Sequence, residues 1–504
     1  MSRRERTLRQ SWPTDSTEAQ RALTPRDDLV GELSASIDGP TQTFEQHEGP
    51  FTTYQRSVVT TATTVDQTIR YRIIIPWFGW LFALPLRGTL QRRPPDGTKP
   101  WWSPPDRLTP RHAATLGLLA AASMSAAFAN TLFTQTASFA ADGFGIDERA
   151  QGLGGVIVRL GVVIAIPFAT LADRRGRRQM IIIAAWVAPL WCALGAIAPN
   201  FWVLVGTQTI GRPIGLALAL LIGVVAAEEM PRSSRAYALS VLALAGGLGA
   251  GVAVGALRLA DLGTNGWRLV YLLSVIWLLP AYHLTRQLPE THRFEQRHPV
   301  APRLDRRRFA IIATVAITSN LFVAPASFFQ NRYLDHVRGY TGGGIALFIF
   351  CTATPASLGL IVGGRIADVV GRRAVLAICM PLSTLLLVGS FTYAGSAMWL
   401  LTLVGGLLGG AYYPAFIVYR TELFPTGNRG RVNGYVTAIS LAGSSVGLLL
   451  VGALVHRGWS YGQSMLLVGI GQVLAAAIAY VAYPETAHLE LEQINPQDAL
   501  GAET

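Results

Sequence analysis

From residue 113 to residue 483 the chain is a succession of apolar runs, each close to the length that a helix needs to cross a bilayer. A spanning helix takes about 20 predominantly apolar residues. Twelve such runs are present, at 113–140, 151–172, 179–198, 201–227, 236–260 and 267–288, then 309–333, 342–367, 374–394, 396–419, 432–455 and 462–483. Pro167, Pro213, Pro355 and Pro414 fall inside runs, which a helix bundle tolerates because its neighbours satisfy the freed backbone groups. Composition agrees. Hydrophobic residues make up 51% of the chain and charged residues 14%, where a soluble domain carries roughly 25% charged. The expected fold is an all-α polytopic membrane protein of twelve transmembrane helices.

The net charge of +12 would fit a nucleic-acid binder, but its distribution does not. Arginines cluster in short loops between the apolar runs, so no nucleic-acid partner is expected. Loops after odd-numbered helices are poor in them: the first holds Asp142, Asp147, Glu148 and Arg149, and the second is Pro199–Asn200. Loops after even-numbered helices hold Arg174, Arg175, Arg177 and Arg178, then Arg232 and Arg235, then Arg293, Arg297, Arg303 and Arg306 to Arg308. The second half follows with Arg372, Arg373, Arg429 and Arg431. The positive-inside rule makes the even-numbered loops and both termini cytoplasmic, in a multi-pass protein of the cell membrane.

An internal repeat divides the helices into two sets of six. Asp173, Gly176, Arg177 and Arg178 recur 195 residues later as Asp368, Gly371, Arg372 and Arg373. Glu228, Pro231 and Arg235 recur as Glu422, Pro425 and Arg429, and Pro289-Glu290-Thr291 as Pro484-Glu485-Thr486. The expected organisation is an amino-terminal extension (1–111), one half (112–288), a cytoplasmic linker (289–308), the other half (309–484) and a tail (485–504). Repeats of this kind mark transporter folds, with the solute site between the halves near the midplane.

On these motifs the chain, over about residues 112–490, resembles the major facilitator superfamily. Asp173-Arg174-Arg175-Gly176-Arg177-Arg178 matches that family's loop between helices 2 and 3, with Ala169 replacing the usual leading glycine and Gly364 keeping it in the second copy. The Glu-x-x-Pro-x-x-x-Arg elements and Pro-Glu-Thr are similar to its "sugar and other transporters" branch. The resemblance implies alternating access about a cavity lined by helices 1, 4, 7 and 10. It also implies a cytoplasmic gate formed by Asp173, Arg174, Gly176, Arg177, Arg178, Glu228, Arg235, Asp368, Gly371, Arg372, Arg373, Glu422 and Arg429. Carboxylates there can accept hydrogen bonds from helix N-termini, and arginines can fork onto carboxylates. Two departures narrow the field. The helix-5 stretch Gly246 to Gly251 lacks the proline of drug antiporters, and Gln330 stands alone where sugar porters pair glutamines.

Polar groups inside the cavity-lining runs are the candidate substrate contacts, since each is costly in lipid. Arg212 lies about 16 Å along helix 4, and Arg159 about 12 Å along helix 2, at 1.5 Å per residue. Gln208 is one turn before Arg212. Asn130 and Gln135 in helix 1, Asn320 and Gln330 in helix 7, and Tyr412 and Tyr413 in helix 10 complete the set. No carboxylate lies deep in any run, so the cavity is expected to be cationic and its solute a small organic anion. Asp142 and Asp335 are edge-sited proton groups, and facilitated diffusion or exchange stays open beside proton coupling. The alternatives are an efflux antiporter or a non-transporting receptor of the same fold.

No phosphate-cradling loop, metal-ligand helix pair or nucleophile elbow is present, so neither an enzyme nor a cofactor is expected. Cys192, Cys351 and Cys379 have no disulfide or metal spacing. A monomer in a lipid bilayer is the expected state. Residues 1–50, polar and of mixed charge, read as disordered. Two short strands are expected between 51 and 75, and the aromatic segment 73–86, with Trp101-Trp102, as an anchor at the membrane surface.

Overall fold

The computed structural model describes residues 5–73, 75–80, 82–93, 100, 103–104, 106–164, 171, 176–231, 234–289, 304–424 and 429–486. Its larger part is a helical bundle in which α3 to α14 correspond in order to the twelve expected spans. The first half holds α3 (Pro110–Gly143), α4 (Glu148–Leu160), α5 (Arg177–Leu194), α6 (Phe201–Glu229) and α7 (Arg235–Gly255). It ends with α8 (Trp267–Gln287), which tightens to a 3-10 turn at Leu273–Trp277. The second half holds α9 (Arg306–Arg332), α10 (Gly342–Val370), α11 (Arg372–Ser390), α12 (Gly395–Glu422), α13 (Arg429–His456) and α14 (Tyr461–Ala482). Eleven of the described helices are long and apolar enough to cross a membrane, with mean hydropathy from 1.3 to 2.2. The twelfth is α4, which is described only as far as Ile164 with its 3-10 continuation. Most of the 289–308 linker and the tail beyond Thr486 lie outside the described residues.

Small residues set the closest helix crossings, and they do so in duplicate. A Cβ added to Gly249 of α7 would lie 2.1 Å from the Met124 carbonyl oxygen of α3. A Cβ on Gly443 of α13 would lie 2.0 Å from that of Ile317 on α9, and one on Gly447 2.2 Å from that of Leu321. Gly249 and Gly443 are 194 residues apart, the offset that separates Glu228 from Glu422 in the sequence repeat, so each half contains the same crossing at the same relative place. In lipid no hydrophobic drive favours helix association, and close backbone approach supplies the dispersion contact instead. Each half has its own apolar core, and a third core joins them through Phe133 and Phe328, whose ring centres are 6.0 Å apart.

The extension is folded, which corrects the expectation of disorder through residue 50. β1 (Arg6–Pro13), β2 (Gly31–Asp38), β3 (Thr41–Glu48), β4 (Phe51–Thr60) and β5 (Thr64–Ile73) form one antiparallel sheet in the order β1-β5-β4-β3-β2. The helix α1 (Thr17–Ala22) follows β1, and α2 (Ala83–Gln91) follows the sheet. The expected hairpin is β4–β5, longer than the sequence suggested. Composition misled because β2 is mostly exposed along its length, and an antiparallel sheet can keep one face in water. Much of the remaining charge is paired inside. The Arg56 guanidinium, fully buried, donates to both Glu32 oxygens at 2.6–3.1 Å and lies 3.9 Å from the Phe44 ring centre. Tyr54 donates to Glu32 at 2.5 Å, and Arg26 pairs with Asp28 at 2.6 Å. Burial, reinforced by the Glu32 charge, pushes the Tyr54 phenol well above its usual value, so it remains a donor.

The aromatic segment links sheet and bundle. Phe78 packs into the core of the first half, Trp77 meets His283 of α8 edge-on at 5.3 Å, and a Cβ on Gly117 of α3 would lie 2.8 Å from Pro76. Trp80 is left exposed. Trp101 and Trp102 lie outside the described residues.

Gly443→Leu should force α13 off α9. Overpacking costs about 1–3 kcal/mol, so a clear fall in the melting temperature of the purified protein is expected, with a matching fall from Gly249→Leu.

Candidate functional site

The two halves meet on the face that carries the odd-numbered loops, and a polar seam seals that face. Gly152 of α4 and Gly452 of α13 permit it: an added Cβ would lie 2.9 Å from the Leu448 oxygen and 2.8 Å from the Glu148 oxygen respectively. Arg332, in the last turn of α9 and 5% exposed, crosses between the halves. Its guanidinium donates to Asp142 at 3.1 Å, to Glu148 at 3.0 and 3.2 Å, and to the Gln151 side chain at 3.0 Å. The other Asp142 oxygen lies 2.7 Å from His336 Nε2, and Asp147 lies 3.3 Å from His456 Nδ1. Asp261, just beyond α7, accepts the Gly342 and Gly343 N–H groups at 2.5 and 2.7 Å. That carboxylate caps the N-terminus of α10, where a negative charge complements the helix dipole. Asp142, Asp335 and His336 bring ligand atoms within 4.8 Å of one another. With Arg332 already on Asp142, a dication would meet a fixed positive charge there.

The sequence reading missed Arg332. The available signal was complementarity: an arginine at the end of helix 7 faces a first loop holding Asp142, Asp147 and Glu148.

Deeper in the bundle, Arg159 and Arg212 come together. Both are half-buried, and the helices that carry them touch: a Cβ on Gly161 would lie 3.1 Å from Pro213. Arg212 donates from Nε to the Asn130 carbonyl at 3.2 Å, and Arg159 to the Ala324 carbonyl of the opposite half at 3.4 Å. Among the described residues no carboxylate pairs with either. The pair joins helices 2 and 4 of one half to helices 1 and 7 through backbone oxygens alone.

The other sequence candidates divide. Asn130 accompanies Arg212, though its amide donates back to Ala126 in its own helix at 2.9 Å. Gln135 belongs to the seam, accepting from Asn331 at 2.6 and 2.9 Å. Gln330 packs beside Tyr333 and Ser390. Asn320 meets Ser444 of α13 at 3.3 Å. Gln208, fully buried, donates to the Cys192 carbonyl of α5 at 3.4 Å and to Thr207 at 3.1 Å, not towards Arg212. Tyr412 is buried against Gln472 of α14 at 2.9 Å, whereas Tyr413 is exposed.

On the basic-loop face, the second copy of the motif is described in part. Glu485, from Pro-Glu-Thr, accepts the N–H groups of Arg372 and Arg373 at 3.0 and 3.1 Å, and Arg372 donates to Thr486 at 2.9 Å. The carboxylate at a helix N-terminus is therefore that of the tail motif. Gly371, at φ +111°, gives it room, since a Cβ there would lie 2.9 Å from Glu485. In the first copy Gly176 begins α5 at φ +97°, and Arg178 donates to the Leu288 oxygen at 2.7 Å. Arg177 begins the same helix and is partnered. Asp173 and Arg174 lie outside the described residues, as do the side chains of Glu228, Arg235, Asp368, Glu422 and Arg429.

A bundle of two like halves joined across one face by a polar seam is the arrangement of a solute carrier. The profile of the Major Facilitator Superfamily matches residues 119–353 and 309–499, and the chain belongs to that family of membrane transporters. It is 26% identical over 368 residues to the cis,cis-muconate transport protein of Acinetobacter baylyi, covering 66% of this chain and 85% of that protein. It is 27% identical over 171 residues to the shikimate transporter of Escherichia coli, covering 30% and 36%. Among solved structures, the inward-open xylose transporter XylE from E. coli shares the fold with a TM-score of 0.60 at 18% identity, over 76% of this chain and 98% of that one.

Removing Arg332 takes the guanidinium from Glu148 and leaves Asp142 with His336 alone. Losing one partner of a buried pair costs 3–5 kcal/mol; with these acids partly exposed, about 1–2 kcal/mol is expected. Arg332→Gln should therefore speed maleimide labelling of a cysteine placed at Asn130 about tenfold.

Proposed function

We propose that this protein carries a small organic anion bearing a carboxylate across the cell membrane by alternating access. Arg212 and Arg159 are the residues that hold it. The observation that carries this reading is their juxtaposition without a carboxylate. Two like charges in a low-dielectric interior repel, and backbone carbonyls at 3.2 and 3.4 Å supply dipoles, not charge. A guanidinium binds a carboxylate through two parallel hydrogen bonds, so an anionic solute completes the site. Relatives named for muconate, a dicarboxylate, and shikimate, a monocarboxylate, support the same class.

The mechanism follows from the site's position. Arg212 belongs to one half, and Arg159 already reaches Ala324 of the other. An anion bound between the halves changes the balance of contacts across their interface, which is the requirement for a ligand to shift a two-state equilibrium. With the Arg332 seam closing the odd-loop face, entry to the site is assigned to the basic-loop face, which the arginine bias makes cytoplasmic. Opening the seam requires separating Arg332 from Asp142 and Glu148, while the repeated acid–arginine motifs from Asp173 to Arg429 close the opposite mouth. Asp142, held by Arg332 and His336, and the adjacent Asp335 are the acids through which a proton could be linked to that opening.

Uptake of radiolabelled cis,cis-muconate into proteoliposomes tests the proposal. Arg212→Ala should raise the apparent KM at least tenfold, a loss of about 1.4 kcal/mol, and Arg212→Lys should recover part of it, because a point charge remains without the fork. Saturable uptake of neutral sugars with no inhibition by any carboxylate, or an unchanged KM in Arg212→Ala, would refute it.

A further inference from the structure

Between the sheet and the bundle lies a cavity of about 510 Å³, unconnected with the paired arginines. One wall is the apolar face of the extension: Leu29, Phe51, Phe82 and Leu86, which belong to the core of the sheet. The opposite wall is membrane helix, contributed by α3 and by Leu244 and Leu248 of α7. Those two leucines are 70% and 49% exposed, in a span of mean hydropathy 1.9. Leu244 stands seven residues from the start of that span at Tyr237, about 10 Å along the helix axis. At that depth a lipid-facing leucine meets acyl chains, not headgroups. The cavity therefore opens sideways into hydrocarbon and is continuous with the surface that α7 presents to the bilayer.

The polar groups at the rim are already engaged. Arg107 donates to the Asp27 side chain, to the Asp28 carbonyl and to Glu48, and Asp106 exchanges hydrogen bonds with Ser234. Among the described residues these groups are satisfied within the protein and are not held out for a headgroup. The space falls within the roughly 300–1,000 Å³ range of ligand sites.

We propose that this cavity is a binding site for one acyl chain of a bilayer phospholipid, which leaves the annulus beside α7 and completes the core under the β-sheet. The ligand is recognised by its chain, and the headgroup is indifferent. The lipid thus forms part of the joint by which the extension is held to the first half of the bundle.

The full chain, reconstituted in bilayers with a phosphatidylcholine carrying a diazirine near the end of one acyl chain, tests this. After irradiation, peptides are mapped by mass spectrometry. Label is expected on Phe51 of β4, or on Phe82 and Leu86 at the start of α2, which line the cavity from the side of the extension. Leu244→Trp, which narrows the mouth, should cut that labelling at least fivefold. Leu272→Trp, the same exchange at an exposed leucine of α8, should leave it unchanged. Replacing the probe by phosphatidylglycerol of the same chain should give the same pattern. Label confined to the spanning helices, labelling of the sheet by a diazirine fatty acid but not by the phospholipid, or equal labelling in the two tryptophan variants would each overturn the proposal. Muconate uptake is measured in parallel; its absence with sheet labelling present would count against the transport reading alone.

Discussion

The contact of Arg332 with Asp142 and Glu148 is the interaction on which the arrangement of the two halves depends. Helices within each half are held by close backbone approach, which is short-ranged and broken only by unfolding. Between the halves on this face, the strongest directional contacts are charge-assisted, and such contacts form and separate as units. Their geometry explains why the apolar core of Phe133 and Phe328 lies just beneath them: it excludes water from a guanidinium that is 5% exposed. It also explains the cap that Asp261 places on α10, since a second contact across the same face prevents the halves from pivoting about Arg332 alone. The paired arginines at the centre have the opposite character. Among the described residues they are held by the backbone oxygens of Asn130 and Ala324, with no carboxylate beside them.

Much of this was legible in the sequence because membrane helices are written in long, redundant stretches. Twelve apolar runs, a charge bias between alternate loops and one repeat offset each pointed to the same architecture. Arg212 and Arg159 stand out in the sequence for a related reason, as an embedded arginine in such a run is costly enough to be conspicuous. Gln208 shows where that logic fails. Helical spacing places it on the side of Arg212, but a side chain of that length reaches across to α5, and only the packing of neighbouring helices decides which way it turns. Arg332 was missed because it sits at the end of a run, where an arginine resembles a topological signal. Its role depends on acids 184 and 190 residues away in sequence.

The extension was misread for a different reason. Disorder was inferred from polarity, on the argument that too little apolar surface is available to offset chain entropy. The sheet meets that condition by another route. Arg56 and Arg26 replace solvent with Glu32, Asp28 and backbone carbonyls inside the fold, and Phe44, Phe51, Ile69 and Tyr71 supply a small apolar core around them. A window of sequence shows the charges but not that they are satisfied by one another, because the partners come from separate strands.

The duplicated glycine crossing bears on how the chain is made. Met124 and Gly249 are both in the first half, as Ile317 and Gly443 are both in the second. Neither crossing waits for the other half. During synthesis the first six helices can therefore reach their tightest packing while the rest of the polypeptide is still on the ribosome, and the later set can assemble beside a finished template. The contacts that join the two sets, from Arg332 to Asp261, are then the last to form.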